Sequence, residues 1–149
     1  MREILFRGKT KYGNRWAYGS LIVAGTYCCI LESEDDVHPM DYPYLDGDLG
    51  VIDGNATPII PETVGQFTGL LDKNGKKIFE GDIVKTKYGR LCVVVWFSSQ
   101  VLNGWDLMTV NTYENCVRTK YPDTVDLYKK ENLDVIGNIH DNPELFEVT

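Results

Sequence analysis

Apolar and polar residues change places in short runs along this chain, and Gly, Asn and Asp close the runs. Ile4-Leu5-Phe6 leads into Lys11-Tyr12-Gly13-Asn14-Arg15, and Trp16-Ala17-Tyr18-Gly19-Ser20-Leu21-Ile22-Val23 follows. A Gly-Asn pair between runs rich in aromatic and β-branched residues predicts a hairpin. Beyond Gly25, Thr26 to Leu31 reads as a further strand. Residues 32–53 differ: Glu32, Glu34, Asp35, Asp36, Asp41, Asp46, Asp48 and Asp53 fall there, with no Lys or Arg. Pro39, Pro43, Gly47 and Gly50 interrupt any period, so the segment reads as a solvated acidic loop.

The second half is punctuated more densely. Val64 to Leu71 predicts a strand, and Asp72-Lys73-Asn74-Gly75-Lys76 holds the Asn-Gly pair that favours a tight hairpin turn. Ile78 to Lys85 carries Glu80-Gly81-Asp82 in its middle, where Asp82 suits a hydrogen-bonded turn. After a turn at Tyr88-Gly89-Arg90, Leu91-Cys92-Val93-Val94-Val95-Trp96-Phe97 is apolar throughout, as a strand buried on both faces would be. Asn103-Gly104 predicts another turn, and Trp105 to Val110 another strand. Residues 111–132 match no template well; Asp123-Thr124-Val125-Asp126 would cap at most a short helix. Leu133 to Ile139 reads as a closing strand, and His140 to Leu145 as a turn and tail.

Short strands with turn signals at close spacing, and no long amphipathic helix, predict a mainly β protein. The expected architecture is an N-terminal β-hairpin segment, residues 1–60, packed with an SH3-like barrel or roll, residues 61–149, as one compact unit. The 149 residues, 43% hydrophobic and 25% charged, suffice for a core without disulfide or metal staples. There is no apolar run of membrane-spanning length and no apolar leader at the start.

Charge and cysteines narrow the chemistry. Fifteen Lys and Arg against 22 Asp and Glu give a net charge of −7, which opposes broad phosphate binding. Cys28, Cys29, Cys92 and Cys116 form no Cys-x-x-Cys, and neither His38 nor His140 stands at a ligand-like spacing from them. Reduced, space-filling thiols without zinc are expected, as in a cytoplasmic protein. Asp46-Gly47-Asp48 fails as a calcium loop, because positions six and twelve hold Val51 and Thr57. Cys92 or Cys116 with His140 is a dyad by arithmetic alone, and no Gly-x-Ser-x-Gly, Walker loop or dinucleotide fingerprint exists. No catalytic residue, cofactor or metal is therefore expected. Tyr12, Trp16, Tyr18 and Tyr27 offer an aromatic interaction face, with core filling as the competing use. The basic stretch is Lys73, Lys76, Lys77, Lys85, Lys87 and Arg90, split over two hairpin tips.

Three collinear blocks resemble the YopX family of phage and prophage proteins. They are Arg2-Glu3-Ile4-Leu5-Phe6-Arg7-Gly8-Lys9 with Trp16 to Leu21, Pro61 to Val84, and Val135 to Ile139 with Asn142-Pro143-Glu144-Leu145. Residues 32–53 and 98–132 lie outside them. The resemblance implies a mainly β fold with an SH3-type barrel in its later part, and a setting inside bacteria. It transfers no catalytic or binding residue. The expected function is a non-enzymatic module that binds a protein partner or itself, without membrane or small-molecule substrate. The alternative is a nucleic-acid-linked role, by direct contact through turns 73–90 or by acidic mimicry through loop 32–53.

Direct duplex binding has a sharp expectation. At about 150 mM salt, an anisotropy titration should show no saturable complex tighter than about 10⁻⁶ M. Submicromolar binding that collapses when Lys85, Lys87 and Arg90 become Ala would reverse the order of the two readings.

Overall fold

The structure is a computed structural model, and it describes residues 2–32, 56–98, 100–101, 103–110 and 133–146. Two compact units divide the chain, Met1–Phe67 and Thr68–Thr149. Both are built of antiparallel strands, as the alternation predicts. Among the described residues no helix is long and apolar enough to cross a membrane.

In the first unit, β1 (Phe6–Lys9), β2 (Trp16–Ala24), β3 (Tyr27–Leu31) and β4 (Ala56–Pro58) follow one another, and β5 (Gly65–Leu71) begins beside β1. Strand order is β4-β3-β2-β1-β5. Residues opposite one another across the register share a face, which sends Ala17, Ile30 and Ile59 to one side as a buried cluster. Phe6, Leu21, Cys28 and Val64 pack around them. The chain beyond β4 then returns to β1. Lys11 donates its N–H to the Pro58 carbonyl at 3.0 Å, and Ile60 donates to the Lys9 carbonyl at 2.8 Å. A 3-10 turn at Pro61–Thr63 carries the chain onward, and its Thr63 hydroxyl accepts the Lys9 N–H at 2.8 Å. Gly19 is demanded by this packing. A Cβ there would stand 1.9 Å from the Leu31 carbonyl oxygen, a backbone atom with no freedom to move aside.

In the second unit, β5 beyond Phe67 pairs with β6 (Lys77–Phe79). A separate sheet follows, formed by β7 (Asp82–Thr86), β8 (Leu91–Ser98), β9 (Asn103–Thr109) and β10 (Leu133–Asn138) in the order β10-β7-β8-β9. One face carries Val84, Cys92, Val94, Trp105, Leu107 and Leu133, and Ile78 of β6 packs with them in a single cluster. The other carries Ile83, Val93 and Val110, with Leu91, Val95, Ile139 and Leu145 against them. Burial on both faces explains the uninterrupted apolar run of β8, but only as far as Val95. Trp96 lies half exposed, edge-on to Trp105 with ring centres 4.8 Å apart.

Two sequence expectations are corrected, at Asn103-Gly104 and at Glu32. Asn103-Gly104 is no turn: Asn103 lies opposite Ser98 and Gly104 opposite Phe97. The cross-strand Trp96–Trp105 pair holds the hairpin together past that point, so its turn falls earlier. The sheets are compatible with the expected SH3-like roll, without closing into a barrel; β9 and β10 are the two outer strands of their sheet. Glu32, counted with the acidic loop, is instead buried. The rest of that loop and residues 111–132 lie outside the described residues.

Where the sheet stops at β10, Asp72 takes over. Its fully buried carboxylate accepts three main-chain N–H groups: Asn74 at 2.8 Å and Lys76 at 2.9 Å on Oδ1, and Val135 of β10 at 3.0 Å on Oδ2. Lys73 adds its own N–H to the Leu133 carbonyl at 3.0 Å. Burial by itself raises the Asp72 pKa, but the backbone donors from Val135, Lys76 and Asn74, helped by the Lys76 charge, outweigh it and hold the carboxyl below its usual range.

A group depressed in the folded state stabilises above its unfolded pKa and loses that contribution as pH falls through its folded pKa. Urea denaturation between pH 7 and pH 2 should therefore show wild-type stability falling below about pH 4. Asp72→Asn puts an amide donor among N–H donors, and should cost about 2–4 kcal/mol at pH 7 with a flatter acid limb. Equal stability of the two proteins at both ends of that range would remove Asp72 from this role.

Candidate functional site

The residues expected to form an interaction surface fall into two groups in different units. Trp16 and Tyr18 are alternate residues of β2 and share a face, with Lys9 and Arg7 directly opposite on β1. The Arg7 guanidinium lies 4.7 Å from the centre of the Trp16 ring, and the Lys9 ammonium 5.8 Å from it. Two cations on one indole hold the ring in place. By the same register Tyr27, opposite Ala24, joins that face. Tyr18 and Tyr27 are each 43% exposed, and Tyr12 stands exposed in the turn between β1 and β2. Toward β4 the face is buried at Cys29 and Ala56. Trp16, Tyr18 and Tyr27 thus share one face, with Ser20 and Ile22 of β2 between Tyr18 and the Tyr27 end, and Tyr12 belongs to the β1–β2 loop.

One feature of this hairpin escapes a reading residue by residue. From Trp16 to Leu31 the chain has no Asp, Glu, Lys, Arg, His or Pro, although its tip is exposed and Val23 is 66% accessible. Exposed strands are ordinarily guarded by charge or proline. Counting charges over a window, rather than reading motifs, exposes that signal.

A polar lock holds the foot of the same hairpin. Arg15 meets Glu32 in a two-pronged pair, Nη1 to Oε1 and Nη2 to Oε2, both at 2.8 Å. The Thr57 hydroxyl donates to Oε2 at 2.7 Å. The strands that leave the foot are therefore fixed in register by a bidentate, largely desolvated contact. Sequence reading missed it, because Glu32 stands next to a run of acids and nothing local distinguishes it from them.

Lys85, Lys87 and Arg90 lie exposed around the β7–β8 turn of the second unit. They do not form a cluster of free cations. Asp134 stands opposite Lys85 in the register and pairs with Lys73 at 3.3 Å, while the Lys87 ammonium rests 4.9 Å from the Tyr88 ring centre.

Cys28 and Cys29 point to opposite faces, and burial pushes both thiols up, with Glu62 adding to it at Cys28 and Cys29 further raised by Cys28 against the pull of Lys11. Cys92 is buried in the second unit's core. His140 donates its N–H to the Asn138 side chain in the turn after β10. Asp82 is buried and accepts the Phe79 N–H at 2.8 Å, across the Gly81 turn where φ is +84°. Cys116, His38 and the Asp46–Asp48 loop lie outside the described residues. Among the described residues, no three His, Cys, Asp or Glu are gathered as metal ligands would be.

The fold is thus that of a mainly β protein whose β2–β3 hairpin carries no charged side chain from Trp16 to Leu31 and exposes Tyr18, Val23 and Tyr27. A family comparison agrees with the three sequence blocks. The family described as YopX protein matches residues 5–147, nearly the whole chain, and the chain belongs to that family. No curated protein matches it.

The lock gives a measurable expectation. Glu32→Gln breaks a buried pair while leaving the guanidinium, and should destabilise by about 3 kcal/mol in urea titrations. Replacing both partners together, Arg15→Met with Glu32→Leu, should recover most of that loss. A single-variant effect under about 0.5 kcal/mol would show the pair to be a surface contact in energetic terms.

Proposed function

We propose that this chain is a non-enzymatic protein-binding module of a phage or prophage, working in the cytoplasm of the bacterial host, with the N-terminal hairpin as its binding surface. The observation that carries this reading is the uncharged, exposed β2–β3 hairpin with Tyr18, Val23 and Tyr27 accessible on it. Tyrosines supply large contact area at low entropic cost, and Trp16 beneath its two cations is a rigid neighbour for them. The buried acids support a non-catalytic reading: Asp72 and Asp82 hold backbone amides, and Glu32 holds Arg15 and Thr57. Against the nucleic-acid alternative stand Asp134 beside Lys85 and Lys73, and the net charge of −7.

The test is capture by the tagged chain from a lysate of host cells in which the phage genes are expressed. Wild type should retain protein after nuclease treatment, and Tyr18→Ala with Tyr27→Ala should reduce that protein at least about tenfold, the loss expected when aromatic anchors go. Retention that nuclease abolishes would favour the nucleic-acid reading. Equal retention by wild type and variant would move the binding surface away from this hairpin.

A further inference from the structure

We infer that the occupant of this hairpin is a second copy of the chain, paired strand to strand and antiparallel along the outer edge of β2 at Ser20–Ala24. The inference rests on the protein-binding reading above and names its partner. β1 pairs with β2 only from Trp16 to Gly19, whereas β3 pairs with Ser20–Ala24 from the other side. Among the described residues, no strand pairs with Ser20–Ala24 on the β1 side. That stretch presents about 16 Å of extended main chain. A free edge is a template for another strand, and its affinity comes from main-chain hydrogen bonds, with side-chain contacts alternating along it.

Charge selects the occupant. A molecule carrying −7 repels its own copy over most of its surface. From Trp16 to Leu31 no charged side chain exists, so two copies meet there without opposing like charges. An acidic or basic peptide finds no counter-charge on the hairpin; an identical uncharged strand needs none. Antiparallel pairing of a segment with itself is two-fold symmetric by construction, which makes the contact isologous and closed. Val23, at 66% exposure, is the side chain with most surface to lose. The contact is short, below the size of a standard stable interface, so the dimer belongs to the weak, concentration-dependent class.

Sedimentation velocity from about 1 μM to about 1 mM reads the equilibrium directly. Wild type should pass from monomer to dimer without larger species. Val23→Lys places a charge at an exposed edge position, and should weaken the dimer at least about tenfold while leaving the thermal midpoint unchanged. Val101→Lys alters a side chain 94% exposed in the second unit, and should leave dimerisation as in wild type. Amide exchange at Leu21–Ala24 should slow as wild-type concentration rises. Dimerisation abolished by Val101→Lys and not by Val23→Lys would overturn the inference, as would open-ended assembly. A wild-type chain that stays monomeric to about 1 mM, yet still captures another protein through Tyr18 and Tyr27, overturns the second-copy occupant and leaves the binding reading in place. Loss of both overturns both.

Discussion

The second unit depends on one buried carboxylate. A sheet that ends at β10 leaves that strand's outer amides needing acceptors, and an unsatisfied buried amide is costly. Asp72 supplies an acceptor to Val135 and, through its other oxygen, closes the Asn74-Gly75 turn. The β5–β6 turn and the last strand are therefore bound to the same side chain. That link lets Leu70 pack against the cluster formed by Ile78, Val84, Val94 and Leu133 although no closed barrel surrounds it. Desolvation works against such a charge, and three charge-assisted bonds outweigh it.

The first unit closes mainly through main-chain hydrogen bonds. The chain after β4 bonds back to β1 at Lys9 and Lys11, and the Thr63 hydroxyl fills a remaining Lys9 amide. This closure leaves β2 longer than its partner β1, and that excess length is what produces an edge at Ser20–Ala24. The Arg15–Glu32–Thr57 lock at the foot and the apolar tip are complementary features of one hairpin. Polarity is concentrated where the strands must be held, and is missing where they emerge.

Much of the fold was legible. The N-terminal hairpin, the Asn74-Gly75 turn, the Glu80-Gly81-Asp82 turn and the closing strand follow from alternation and turn chemistry, which are local properties. The failed turn at Asn103-Gly104 has a non-local reason: pairing of Trp96 with Trp105 extends the strands through it. Of the candidate surface, Trp16, Tyr18 and Tyr27 could be listed from the sequence, but their shared face required the register of β2 on β3. The turn that holds Lys85, Lys87 and Arg90 carries only cations in the local sequence, and the fold brings Asp134 opposite Lys85 from far along the chain.

By itself the sequence determined the strand-forming runs, the positions where glycine permits a turn, the family and the charge-free character of residues 16–31. These depend on side-chain identity and on neighbours a few positions away. Tertiary structure decided which acids are structural. Glu32 and Asp72 look like ordinary solvated acids beside Ser33 and Lys73, and become buried acceptors only when Arg15 and Thr57, or Val135, arrive across the fold. It decided the edge at Ser20–Ala24 as well, where among the described residues no strand pairs on the β1 side, because that is a relation between β1, β2 and β3 and is written in none of them alone.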